Sequence, residues 1–197
     1  MAHLPLPSCW IFDLDGTLTL PVHDFDAIRK TLGLPEGRPI LEALAELPPS
    51  EAADLHRQLE EIEQGLAERG RPWPEVGEVL GNLASRGARL GILTRNTHSL
   101  ARVTLAAAGL DLFFETTAIL GRTDADPKPS PAGVERLLEH WDCRAEDTVV
   151  VGDYLFDLQA GRAAGCRTVL VDREGHGRWR DWADRVVPSF HPFLEDS

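Results

Sequence analysis

The sequence predicts an α/β fold, a doubly wound parallel sheet carrying a small helical insertion, and three observations lead there. Short, mostly apolar runs recur along the chain, bounded by glycine or polar residues, as strands buried on both faces of a parallel sheet are. Segments with apolar residues at helical spacing separate those runs. The residues best suited to chemistry stand just after the runs, where open α/β sheets bind their ligands.

In chain order, the first run is Trp10-Ile11-Phe12, and it ends at Asp13. Residues 20–75 then interrupt the alternation. They hold no convincing strand but three helical segments, Asp24 to Leu32, Pro39 to Glu46 and Ser50 to Arg69, punctuated by Gly33, Pro48-Pro49 and Gly70. Leu55, Leu59, Ile62 and Leu66 make an apolar stripe on the third. The expected organisation is therefore a core domain of residues 1–19 and 76–197, with residues 20–75 inserted as helices.

Beyond the insertion, Val76, Val79, Leu80 and Leu83 predict a helix stopped near Gly87, followed by the run Leu90 to Leu93. Thr97 to Ala108 predicts a helix ended by Gly109. Ser130 reads as an N-cap with Pro131 at the first helical position, and Val134, Leu137, Leu138 and Trp141 give that helix its apolar face. The run Thr148 to Val151, a helix from Leu155 to Ala164 closed by Gly165, and the run Thr168 to Val171 complete the alternation. In the tail, Trp179 and Trp182 would cover one side of a short helix and Val186-Val187 would add an edge strand, so His176 and Arg178 beside them are read as surface rather than ligands.

Composition narrows the function classes. Twenty basic against 32 acidic residues give a net charge of -12, which opposes general attraction to nucleic acid or an anionic membrane; an anionic substrate then needs local cations. The 3 cysteines, Cys9, Cys143 and Cys166, are far apart and read as separate buried thiols in a reducing compartment. The start of the chain has no basic region leading into a long apolar stretch, so a cytoplasmic protein is expected. Monomer and homodimer both stay open.

Four pieces carry chemistry. Asp13-Leu14-Asp15-Gly16-Thr17 places two carboxylates on one side of an extended chain end, although Asp and Gly also suit a plain turn. Gly152-Asp153-Tyr154-Leu155-Phe156-Asp157 adds two more at a helix start, where acids also serve as caps. Thr94-Arg95-Asn96 offers a hydroxyl and backbone N–H groups that suit phosphate oxygens, and equally a cap. Lys128 lies between Pro127 and Pro129 on a stiff loop, where a surface lysine is the plain alternative. Together they make a complementary set in one order along alternating strands.

On these motifs, over about residues 9–172, the chain resembles the haloacid dehalogenase (HAD) superfamily. The resemblance implies that Asp13 is a nucleophile forming an aspartyl phosphate and that Asp15 is the general acid and base. It implies Mg²⁺ held by Asp13, the Asp15 carbonyl and Asp153, with Asp157 supporting the metal or orienting Lys128. Thr94 and Lys128 would hold phosphoryl oxygens, with Arg95 and Asn96 as further substrate contacts. Asp15 favours a phosphatase over a dehalogenase, because attack on carbon needs no acid there. The insertion falls where the family's helical cap sits, so specificity is expected in it, with Lys30, Arg38, His56 and Arg57 as candidate contacts. A compact phosphorylated metabolite such as phosphoglycolate is the expected substrate. A sugar phosphomutase of the β-phosphoglucomutase type and a non-catalytic binding protein are the alternatives.

Overall fold

The computed structural model describes residues 7–195. Its centre is a sheet of six strands, β1 (Cys9–Phe12), β2 (Arg89–Leu93), β3 (Ile119–Leu120), β4 (Thr148–Gly152), β5 (Arg167–Val171) and β6 (Arg185–Val187), in the order β3-β2-β1-β4-β5-β6. Every pairing is parallel. β1 lies centrally, and Phe12 is opposite Ile92 on one side and Val151 on the other. The chain leaves β1 toward β3 and later returns past it to β4, so its winding reverses at the β1/β4 boundary, the place where such sheets open a ligand crevice.

Both faces of the sheet are covered, and the side-chain alternation of β1 shows how. Trp10 and Phe12 enter one cluster, with Leu80 of α4 (Val76–Ser85) and Leu105 of α5 (His98–Ala108). Cys9 and Ile11 enter the opposite cluster, with Leu137 of α6 (Ala132–Trp141) and Ala160 of α7 (Leu155–Ala163). All four β1 residues are buried, which is why that run reads as continuously apolar.

Between β1 and α4 the chain forms α1 (Phe25–Thr31), α2 (Ile40–Ala45) and α3 (Pro49–Ala67), which share a separate cluster built on Ile28, Leu32, Leu44, Leu59 and Leu66. Two of the three are only 7 and 6 residues long, too short to persist alone, so the 19-residue α3 is their support. Asp24 caps α1 by accepting from Ala27 N at 2.9 Å. The segments entering and leaving these helices lie side by side, with Leu20 N donating to Arg71 O at 2.8 Å and Trp73 N to Leu18 O at 3.1 Å.

Four expectations change. β3 has no counterpart in the sequence reading, because a 2-residue edge strand shows no periodicity. α6 begins at Ala132 with Pro131 preceding it, although Ser130 Oγ still accepts from Ala132 N at 3.3 Å. The tail helix shrinks to a 3₁₀ turn, Arg180–Trp182; Trp179 packs edge-on against Tyr154 at 5.6 Å instead of pairing with Trp182. Most clearly, the reading of three separate thiols is corrected. Cys9 and Cys143, 134 residues apart, meet as a disulfide with Cα atoms 6.9 Å apart, leaving Cys166 as the free, buried thiol. Cysteine usage therefore lends no weight to a reducing compartment. Among the described residues no helix is long and apolar enough to cross a membrane. Residues 1–6, where the reading of the chain start begins, lie outside the described part.

Candidate active site

Asp13 extends β1 by one step: its N–H donates to Val151 O at 2.9 Å, which holds its carboxylate over the β1/β4 boundary. The chain then turns at Gly16 with φ at +91°, a left-handed conformation that favours glycine. A side chain there would also meet Asp153, since a Cβ would stand 2.8 Å from Oδ2. The turn is pinned by Thr17, whose hydroxyl donates to Asp153 Oδ1 at 2.8 Å, and by Trp73 Nε1, which donates to the Gly16 carbonyl at 3.3 Å. Sequence neighbours of Asp13 thus build the wall on which Asp153 rests.

Lys128 joins the pieces. Its ammonium lies 2.6 Å from Asp13 Oδ1, 2.6 Å from Asp157 Oδ1 and 2.6 Å from the Leu93 carbonyl, which occupies all three of its donors. The Lys128 side chain is 3% exposed, so the bland reading as a surface lysine does not hold. Burial opposes its charge, but Asp13 and Asp157 outweigh burial and hold its pKa above the ordinary lysine value. The other Asp157 oxygen accepts from Tyr154 N at 3.0 Å and caps α7, so this acid contacts Lys128 and caps its helix at once.

Asp15 stands apart from the ion pairs of Lys128. Its Oδ1 is buried without a hydrogen-bond partner, and the nearest cationic candidate, His23 Nδ1, is 3.9 Å away. Burial lowers the pKa of that histidine. Burial, followed by the charges of Asp13 and Glu63, pushes the Asp15 carboxyl up to about 7. Asp153 is raised too, by burial and then by Asp13 and Asp157. Acids this crowded favour an added cation. Oxygens of Asp13, Asp153 and Asp157 come within 4.8 Å of one another, and the hard carboxylate donors of Asp13 and Asp153 suit Mg²⁺ or a similar divalent ion, while both Asp157 oxygens already have partners in Lys128 and Tyr154 N.

After β2 the turn caps itself: Thr94 Oγ1 accepts from Asn96 N at 3.0 Å and Asn96 Oδ1 accepts from Thr97 N at 2.9 Å. Arg95, expected as a further substrate contact, lines the cavity but is also paired. Its side chain runs to the insertion, where Nη2 lies 2.9 and 2.6 Å from the two Glu42 oxygens. The candidate residues of the four motifs, Asp13, Asp15, Thr94, Arg95, Asn96, Lys128, Asp153 and Asp157, line one cavity of about 390 Å³.

The sequence reading missed other walls of that cavity: His23, Phe25, Arg29, Glu63, Arg122 and Phe156. Arg122 follows the unrecognised β3, and Glu63 hides among the acids of α3, so neither had a local signal. Lys30, Arg38, His56 and Arg57, the expected contacts from the insertion, do not line the cavity. Arg38 pairs with Glu46 and Arg57 with Asp54 instead.

Comparison with known proteins agrees with this geometry. A family profile of haloacid dehalogenase-like hydrolases matches residues 20–171. Phosphoglycolate phosphatase of Rhodospirillum rubrum is 32% identical over 197 aligned residues, covering 84% of this chain and 80% of that protein. Pyrophosphatase PpaX of Halalkalibacterium halodurans is 26% identical, covering 82% and 81%. A haloacid dehalogenase-like family hydrolase from Streptococcus pneumoniae superposes with a TM-score of 0.75 at 21% identity, covering 96% of this chain and 97% of its own.

Proposed function

The chain belongs to the haloacid dehalogenase-like hydrolases, and we propose that this phosphatase of the family hydrolyses a small phosphomonoester with Mg²⁺, through a phosphoryl group carried on Asp13. The observation that carries the reading is the Lys128 bridge between Asp13 and Asp157, with the high-pKa Asp15 in the same cavity. A lone carboxylate after a strand needs no such partner.

In the first step an Asp13 oxygen attacks phosphorus, the bond from phosphorus to the ester oxygen breaks, and Asp15 delivers its proton to the departing oxygen. A carboxyl raised to about 7 still carries that proton near neutrality. In the second step Asp15 takes a proton from water, the water oxygen attacks phosphorus, and the bond to Asp13 breaks. Lys128 neutralises charge on the nucleophile side, and the Thr94 hydroxyl, whose oxygen already accepts from Asn96 N, keeps its own hydrogen free for a phosphoryl oxygen. Bound Mg²⁺, held by Asp13, Asp153 and the Asp15 carbonyl, would supply charge neutralisation between the nucleophile and the phosphate. Both Asp157 oxygens are engaged, by Lys128 and Tyr154 N, which favours orientation of Lys128 as its role.

Residues 20–75 are proposed as the cap that encloses the substrate, because α1, α2 and α3 all contribute walls to the cavity. Phosphoglycolate, a monoester, and pyrophosphate, an anhydride, which appear in the names of the two relatives above, are compact and carry a second anion beside the phosphoryl group; a monoester of that kind is the proposed substrate. The test is release of phosphate from an aryl phosphate. Activity should require Mg²⁺, vanish with chelator and fall at least ~10³-fold in Asp13→Asn. Undiminished turnover by that variant would overturn the mechanism.

A further inference from the structure

Two guanidinium–carboxylate contacts cross the seam between the helical insertion and the strand ends, and water reaches them very differently. Arg122 holds both oxygens of Glu63 on α3 at 3.0 and 2.8 Å, with side chains only 8% and 11% exposed. Neither partner can leave without stranding a buried charge. Arg95 and Glu42 of α2 are 22% and 38% exposed. That pair can exchange partners with solvent or solute.

Arg95 is also held in place without Glu42. Its guanidinium carbon sits 4.8 Å over the ring of Phe156, and its Nη1 donates to the carbonyl of Lys128. It follows Thr94 directly and lines the same cavity as Asp13. Of the other cations on that cavity, Lys128 and Arg122 are committed to buried acids; Arg29 pairs with the exposed Asp26 and the Arg38 carbonyl while its buried Nε has no hydrogen-bond partner, but it stands on the insertion and not beside Thr94 as Arg95 does. Arg95 is therefore an oriented guanidinium next to the phosphoryl site, already occupied by a carboxylate that water can reach.

We propose that Arg95 is the specificity residue for a second oxyanion on the substrate, with Glu42 holding its Nη2 donor until that anion arrives. The proposal rests on the phosphatase reading above. A carboxylate or a second phosphate of the substrate, arriving from the cavity that Arg95 lines, would take over the Nη2 donor now held by Glu42, which itself lies outside the cavity lining, gaining a charge-assisted hydrogen bond at a site whose donor is already aimed. A phosphomonoester whose organic group carries no charge would leave the Arg95–Glu42 pair intact.

The test compares kcat/KM for 2-phosphoglycolate, pyrophosphate and ethyl phosphate in the wild type, Arg95→Met, Arg95→Lys and Glu42→Gln. In Arg95→Met the preference for the two substrates with a second anionic group over ethyl phosphate should fall roughly 10- to 100-fold, with Arg95→Lys intermediate. In Glu42→Gln, where the competing charge is removed, the same preference should rise about 2- to 10-fold. Movement of the 2-phosphoglycolate ratio alone assigns the site to a carboxylate, and movement of the pyrophosphate ratio alone assigns it to a phosphate. If every variant scales all three substrates by one factor, the pair is only a strut and the proposal falls. Should Arg95→Met not fold, Glu42→Gln decides: an unmoved ratio overturns the idea. The two readings fail separately, because a wild type inert on aryl phosphate sinks the phosphatase, whereas an active wild type with unmoved ratios sinks only the role of Arg95.

Discussion

The floor and the roof of the cavity are built on opposite principles. At the floor, strand ends bring Asp13, Asp157 and Lys128 into a closed network in which each ammonium donor has a partner at 2.6 Å. At the roof, α1 to α3 hold together through an apolar cluster while many of their charges pair along the exposed surface, as Arg57 does with Asp54. The difference teaches where each property of an enzyme of this kind can reside. Chemistry needs groups whose positions are over-determined, whereas selection needs contacts that can open.

Removing the centre of the floor should have the largest effect. Lys128→Met leaves two carboxylates facing each other in a buried place, so turnover of an aryl phosphate should drop ~10²–10³-fold. Stability in urea should fall by about 3–5 kcal/mol. A variant as stable and active as the wild type would show that the floor is no more constrained than the roof.

A smaller effect separates the two regions by pH. The Asp15 carboxyl moves from 3.8 to about 7 on folding, so across that interval the folded chain holds a proton that the unfolded chain releases. The stability contributed by this group is full at low pH and is lost as pH rises through about 7. Metal-free Asp15→Asn should accordingly gain on the wild type by a few kcal/mol between about pH 4 and about pH 8, read from urea midpoints at several pH values. Equal slopes for both proteins would show that burial does not destabilise the ionised Asp15. Addition of Mg²⁺ should raise the wild-type Tm more at about pH 8 than at about pH 5, since the acids must be ionised to ligate.

The smallest effect belongs to the outer roof. Arg57→Ala, a change at a residue that the sequence alone made a candidate contact, should shift stability by no more than ~0.5 kcal/mol and leave KM for 2-phosphoglycolate within about twofold. A large rise in KM would bring that face of α3 into the cavity after all and erase the contrast.

Much of the cavity's floor was legible in the sequence because strand ends and helix starts have local signatures. The run Trp10 to Phe12 stops at Asp13, and Leu155 follows Asp153 with helical spacing behind it, so both acids could be placed at sheet ends without knowing the strand order. Glu63 and Arg122 had no such mark. Glu63 sits in the acidic stretch of α3, and its partner Arg122 emerges from a 2-residue strand at the edge of the sheet, so neither their pairing nor their place in the cavity has a local mark. The Cys9–Cys143 pairing was invisible for a similar reason, since 134 residues and the whole winding of the sheet lie between them.

By itself, then, the sequence determined which residue types stand at the strand ends and that helices interrupt the sheet after β1, because those features follow from periodicity and capping within a few residues. Tertiary structure decided the strand order that brings Lys128 to Asp13 across 115 residues. It also decided that Arg95 points to α2 and that Asp15 holds its proton to about 7. Those are properties of burial and of neighbouring charge, and both are supplied by parts of the chain far away in sequence.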